Sequence, residues 1–229
     1  NSDEVQEMDA SIMDGKDRLM GAVASVSSVK NPIKLARKVA EETNHVFLVG
    51  EGAEKFAKDI GIEIVEKDYF YHEERLNRLR NSKKKISRQD NESNNIGTVG
   101  AVALDRNGNI AAATSTGGMT NKMPGRVGDS PILGSGTWAQ NNVCGVSSTG
   151  HGEYFIKYQV AREVCARIDY LNLSLSESST SIINELDNLG AKGGLISMDN
   201  EANISAPFNT KGMIRGSKTN KSNLISEIY

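Results

Sequence analysis

Two short apolar runs, residues 99–104 and 109–114, joined by Asp105-Arg106-Asn107-Gly108, constrain this chain more than any other feature. Asn-Gly supplies the positive-φ backbone of a tight connection, so the runs are expected to pair as an antiparallel hairpin. At its mouth, directly after a polar and charge-rich stretch, stands Gly97-Thr98. Were that bond cut, Thr98 would carry both a hydroxyl nucleophile and a free α-amine to act as its general base. An N-terminal threonine is one of the known nucleophile-plus-base arrangements. Taken alone, a threonine leading a strand is explained by β-propensity and turn chemistry.

Around the hairpin the pattern alternates between strands and helices, which implies sheets covered by helices. Asn31-Pro32 opens a helix with asparagine as N-cap and proline at the first position, and Ile33, Ala36, Val39 and Ala40 form its apolar stripe. Residues 46–49 read as a short buried strand, and 51–60 as a helix closed by Gly61. Residues 143–147 read as a strand entering a glycine-rich corner, followed by helices over 153–170 and 176–189. A second hairpin, 194–198 with 203–206, turns around Asp199-Asn200-Glu201. Residues 71–96 are polar, with Lys83-Lys84-Lys85 and Asn91-Glu92-Ser93-Asn94-Asn95 lacking an apolar period, although residues 72–80 could extend a polar helix. This stretch is expected to be a solvated tether, which is what a chain cut at Gly97 needs if the new end is to move away.

Composition excludes several classes. With 229 residues, 24% charged, 38% apolar and net charge −2, the chain is an ordinary globular one, with no global attraction to nucleic acid or an anionic membrane. No apolar run reaches the ~20 residues of a membrane span. His45, His72 and His151 are scattered without zinc-ligand spacing, and no phosphate-cradling glycine pattern is present. Two cysteines, Cys144 and Cys165, do not make a disulfide framework, and are expected to be buried thiols in a reducing, cytoplasmic setting.

Four motifs flank or follow Thr98 in a fixed order: Glu7-Met8-Asp9-Ala10-Ser11-Ile12-Met13-Asp14-Gly15, Thr116-Gly117-Gly118, Gly125-Arg126-Val127-Gly128-Asp129-Ser130 and Ser148-Thr149-Gly150-His151-Gly152. Over residues 7–216, except the loop before Gly97, the chain resembles the plant-type L-asparaginase and isoaspartyl peptidase family of threonine-type N-terminal nucleophile hydrolases. The resemblance implies an α+β fold, a four-layer αββα sandwich. It also implies one folded domain made of an α-chain part (1–97, with the linker at about 71–97) and a β-chain part (98–229) produced by autocleavage between Gly97 and Thr98. The family carries a first strand, a helix and a loop for a structural sodium ion ahead of the opening motif. That region is expected to lie outside this chain, leaving a sheet edge open and activity reduced. No cofactor for chemistry and no other metal site are expected.

The implied activity is hydrolysis of L-asparagine to aspartate and ammonia, and of β-aspartyl dipeptides, by a homodimer of αβ units. Thr98 is the nucleophile, Thr116 holds its hydroxyl, and Thr149 and the Gly150 N–H are oxyanion donors. Arg126 and Asp129, with Val127 and Gly128 between them, grip the substrate's α-carboxylate and α-amino groups, since a guanidinium binds a carboxylate bidentately. His151 and Gly152 complete the substrate site, His151 in a structural role, and Trp138 is expected to pack near the rim. Asp9 and Asp14 are assigned to strand and turn rather than acid catalysis. Two alternatives stay open at this stage. One is a glycosylasparaginase-like enzyme, separable by turnover of a glycosylated asparagine. The other is an inactive relative that only binds, separable by whether the purified chain is cut before Thr98.

Overall fold

The computed structural model describes residues 1–85, 97–220 and 222–229, and shows a mixed α/β architecture. The hairpin forms as the sequence implies. β4 (Thr98–Leu104) pairs with β5 (Ile110–Thr116), Leu104 facing Ile110 and Thr98 facing Thr116. Its turn is closed by Asp105, whose carboxylate accepts from the backbone N–H of Asn107 and Asn109, and by Gly108 at φ +81°. β1 (Met8–Asp14) adds antiparallel to β5, with Asp9 opposite Thr116 and Ser11 opposite Thr114. β2 (Met20–Val26) and β3 (Phe47–Val49) extend this sheet to the order β3-β2-β1-β5-β4 among the described residues. β4 is therefore an edge.

A second sheet has the order β6-β7-β8-β9, from β6 (Thr137–Gln140), β7 (Cys144–Gly150), β8 (Gly193–Asp199) and β9 (Ile204–Ser205). Alternate residues of a strand share a face, and Val102 of β4 and Ile110 of β5 are the atoms a Cβ on Gly145 of β7 would meet. The two sheets thus pack face to face. Between them lie Met13, Ile110, Ala112 and Ala139. On the far side of the first sheet, α1 (Pro32–Glu42) and α2 (Gly50–Asp59) cover Ala10, Val23, Val26, Leu35 and Val39. On the far side of the second, α5 (Val160–Leu171) and α6 (Leu175–Asn188) enclose Val146, Phe155, Val164, Ile182 and Leu195. A small ladder of β10 (Arg215–Ser217) and β11 (Ile225–Glu227) follows.

Several expectations are corrected. Cys144 and Cys165 are not free thiols: a disulfide joins them, tying β7 to α5. The thiol argument for a reducing compartment, and so for a cytoplasmic location, falls with it. The helix expected over 153–170 is two helices, α4 (Gly152–Lys157) and α5, because Gln159 turns left-handed at φ +49°. The break lets the first N–H groups of α5, on Ala161 and Arg162, donate to the carbonyls of Ser135 and Gly134. The strand at 46–49 is a half-exposed edge rather than buried, with Phe47 40% and Val49 53% exposed. Residues 73–85 of the charged stretch form helix α3 (Glu73–Lys85), and residues 86–96 of the expected tether lie outside the described residues. Among the described residues no helix is long and apolar enough to cross a membrane, and no group of three or more His, Cys, Asp or Glu is placed to hold a metal ion.

Candidate active site

Thr98 and Thr116 are cross-strand partners, and their register brings the two hydroxyls together: Thr98 donates to Thr116 Oγ1 at 3.2 Å. Thr116 Oγ1 also accepts from the Gly118 N–H at 3.0 Å, which fixes its rotamer and leaves its own proton free to point at a third group. Gly97, just ahead, lies beside the Arg75 guanidinium of α3. The pair opens onto a narrow cleft lined by Thr98, Thr116, Arg126, Gly128, Asp129, Gly150 and His151. Seven of the residues singled out in the sequence thus meet at one place. Gly118, Met119 and Ser130 line it too, and sequence reasoning had not assigned them.

Arg126 and Asp129 do not pair with each other. Arg126 makes a two-pronged ion pair with Glu153 at the start of α4, Nε to Oε1 at 2.9 Å and Nη2 to Oε2 at 3.0 Å. That grip holds the Glu153 carboxyl below its ordinary value. Sequence reasoning missed Glu153, and the one available signal was an acidic residue beside a glycine-rich helix start. Asp129 is only 5% exposed, and among the described residues its Oδ2 has no hydrogen-bond partner. Burial pushes its carboxyl up to about 7; its own backbone N–H and Arg126 oppose the rise, while Glu153 and Asp9 add to it. A buried carboxylate without a partner calls for a cation. Gly152 belongs to the same site by close approach: a Cβ there would lie 2.7 Å from Arg126 Nη2 and 3.1 Å from Asp129 Oδ1.

Thr149 precedes Gly150 at the end of β7 but is not itself among the residues lining the cleft, and its buried Oγ1 has no partner among the described residues. His151 lines the cleft while its Nδ1 accepts from the Lys192 N–H at 3.3 Å, so the ring is engaged in holding the loop. Val127 and Trp138 are not among the lining residues; Trp138 packs against the two apolar clusters bordering β6 instead. Asp9 is fully buried, accepts from the Ser25 N–H at 2.9 Å and is held above its ordinary pKa by desolvation. Asp14 accepts from the Lys16 N–H in the β1–β2 turn. Both have the strand and turn roles expected.

The cleft brings together a hydroxyl pair, an anchored guanidinium and a buried carboxyl of which one oxygen has no partner among the described residues. The isoaspartyl peptidase of Escherichia coli (strain K12) is 48% identical over 221 residues, covering 93% of this chain and 69% of that protein. The isoaspartyl peptidase of Salmonella typhimurium is 46% identical, over 93% of this chain and 71% of that protein. The isoaspartyl peptidase/L-asparaginase of Rattus norvegicus is 45% identical, over 93% and 64%. The model of the asparaginase family matches residues 1–226, and the chain belongs to that family.

Proposed function

We propose that this protein is a threonine-type amidohydrolase that converts L-asparagine to aspartate and ammonia and cleaves β-aspartyl dipeptides. The observation that carries the reading is the Thr98–Thr116 hydroxyl pair at the head of β4, opening onto the cleft that holds Arg126 and Asp129. The relatives' names, isoaspartyl peptidase and isoaspartyl peptidase/L-asparaginase, support it. In this reading the sheets and helices form the four-layer αββα sandwich of N-terminal nucleophile hydrolases, and two αβ units make a homodimer.

Maturation comes first. The Thr98 hydroxyl attacks the Gly97 carbonyl carbon, the peptide C–N bond breaks, and an ester links Gly97 to Thr98 Oγ1 while the amine is released. Water opens the ester, giving a Gly97 carboxylate and a Thr98 with hydroxyl and amine both free. That amine has a reference pKa near ~8, close enough to neutrality to take the hydroxyl proton.

In turnover the substrate's α-carboxylate lies on Arg126 and its α-ammonium on Asp129. Thr98 Oγ1 attacks the side-chain amide carbonyl, whose developing negative charge meets the Thr149 hydroxyl and the Gly150 N–H. One such donor is worth roughly 3–4 kcal/mol in the transition state. The proton taken by the amine passes to the leaving nitrogen, which departs as ammonia or a peptide amine. Water then hydrolyses the β-aspartyl ester to aspartate. The test is to follow ammonia and aspartate release from L-asparagine and from a β-aspartyl dipeptide, with the chain's mass measured in parallel. Turnover together with two pieces cut before Thr98 supports the reading, whereas an uncut chain that hydrolyses neither substrate refutes it. Preference for a glycosylated asparagine over both would move the protein to the glycosylasparaginase side.

A further inference from the structure

The space between the sheets is not uniform. Its far end is filled by Met13, Ile110, Ala112 and Ala139, with Val102, Leu104 and Met198 against them. Toward Thr98 it is filled by hydroxyls. Ser11, Thr137 and Thr114 are at most 1% exposed and Ser147 is 3%. They are joined end to end, Ser11 to Thr137 at 2.7 Å, Thr137 to Thr114 at 2.6 Å, and Thr114 to Ser147 at 2.7 Å. The carbonyls of Ser130 and Gly136 stand 2.6 and 3.0 Å from Ser11 Oγ and Thr114 Oγ1, as alternative acceptors for the one proton each hydroxyl carries. Apolar contact would fill this space as well, and it is non-directional, so it leaves the sheets freer to slide. Hydroxyl bonds fix distance and direction.

The position of the chain along the strands is what gives it meaning. Ser11, Thr114 and Gly100 are lateral partners across the first sheet, and Thr137 and Ser147 are partners across the second. All five make one cross-section of the sandwich. One pleat further along the same faces come Asp9, Thr116 and Thr98 on the first sheet and Thr149 on the second. Thr114 is two residues before Thr116 on β5, and Ser147 two before Thr149 on β7. The bond between Thr114 and Ser147 therefore ties β5, whose Thr116 holds the Thr98 hydroxyl, to β7, which carries Thr149, one step from both. Gly100 lets β4 come down onto the same bond, since a Cβ there would overlap Ser147 Oγ.

We propose that the Thr114–Ser147 hydroxyl pair, backed by Thr137 and Ser11, is a gauge that sets the separation between Thr98 and the Thr149–Gly150 oxyanion site, which makes these four positioning residues for acyl transfer. The inference rests on the amidohydrolase reading above. A nucleophile misplaced by about 1 Å loses roughly a hundredfold in rate, so a short, directional spacer at this point controls turnover rather than affinity.

The experiment uses the full chain with Thr114→Val, Ser147→Ala, both together, and Thr114→Ser as the conservative rescue. Ser178→Ala is the stability control, because Ser178 is equally buried and its hydroxyl donates to the Val164 carbonyl in the α5–α6 layer. Expected are a fall in kcat of about tenfold or more for each single variant with KM within about twofold, a double variant no worse than the poorer single, and recovery in Thr114→Ser. Cutting before Thr98 should slow in parallel. Wild-type kcat in both single variants, or losses matched by Ser178→Ala at equal loss of Tm, would overturn the gauge. If the wild type itself turns over nothing, it is the amidohydrolase reading that fails. The gauge is then decided by crystal structures of the two variants: a shifted Thr116–Thr149 separation supports it, and an unchanged one overturns it.

Discussion

Replacing Asp129 by asparagine should stabilise the protein at alkaline pH while removing its grip on substrate. The side chain is nearly isosteric, so the perturbation is the charge. Burial holds the folded carboxyl at about 7 against an ordinary 3.8. The folded state therefore keeps a proton that the unfolded state gives up, and stability falls as pH rises through that window. Three pH units at 1.36 kcal/mol each amount to about 4 kcal/mol of penalty, fully developed above pH 7 and absent below 3.8. At about 2–4 °C per kcal/mol for a chain of this size, the variant should melt roughly 8–16 °C above wild type at pH 8. At pH 5 the gap should shrink, because most of the wild-type carboxyl is then protonated. Thermal unfolding by circular dichroism at the two pH values reads this directly, and a gap of equal size at both would refute the assignment of the cost to a buried charge. In the wild type, kcat/KM for asparagine should fall on the acid side near pH 7, where Asp129 loses the charge that meets the ammonium. Arg126, Glu153 and Asp9 are the charges facing Asp129, and all three remain in the variant.

Thr98→Ala should give one uncut chain without turnover, and Thr98→Ser a slower version of both reactions, read by mass spectrometry; an alanine variant that still splits before position 98 would exclude self-processing. Arg126→Lys should raise KM for asparagine at least about tenfold, because one ammonium cannot hold Glu153 and a substrate carboxylate as a planar fork does; unchanged KM in a correctly cut protein would remove Arg126 from recognition. Gly100→Ala should cost about 1–3 kcal/mol by wedging the sheets apart at Ser147, and should lower kcat more than stability alone explains. Thiol titration of the denatured protein should find no free cysteine before reduction and two after, and reduction should lower stability by about 3 kcal/mol.

The parts of the fold legible in the sequence were those written in local chemistry. The β4–β5 hairpin followed from Asn107-Gly108, and Thr98 and Thr116 were brought opposite each other by its register. Residues of all three glycine-rich motifs after Thr98 line one cleft. What escaped was tertiary. Nothing local marks Gln159 for a left-handed turn, which is imposed by the Gly134-Ser135 carbonyls that accept from α5. Arg126 finds Glu153 across 27 positions, and Cys144 finds Cys165 across 21, only once β7 and the helices are packed. The hydroxyl chain was invisible for the same reason, since Ser11 and Thr137 are 126 residues apart.

The strand order has a consequence for how the protein comes apart. In β3-β2-β1-β5-β4, the first three strands precede Thr98 and the last two follow it. A cut before Thr98 leaves those two groups joined laterally by the ladder between β1 and β5, six residue pairs from Asp9–Thr116 to Asp14–Ala111. The two pieces would then share one sheet and could not separate without unfolding it. Before the cut, refolding is a first-order event, indifferent to concentration. Afterwards it requires two molecules to meet, so a matured protein that survives any dilution while folded would fail to recover from denaturant when dilute. Maturation would thereby turn a reversible chain into one whose persistence is set by its unfolding rate.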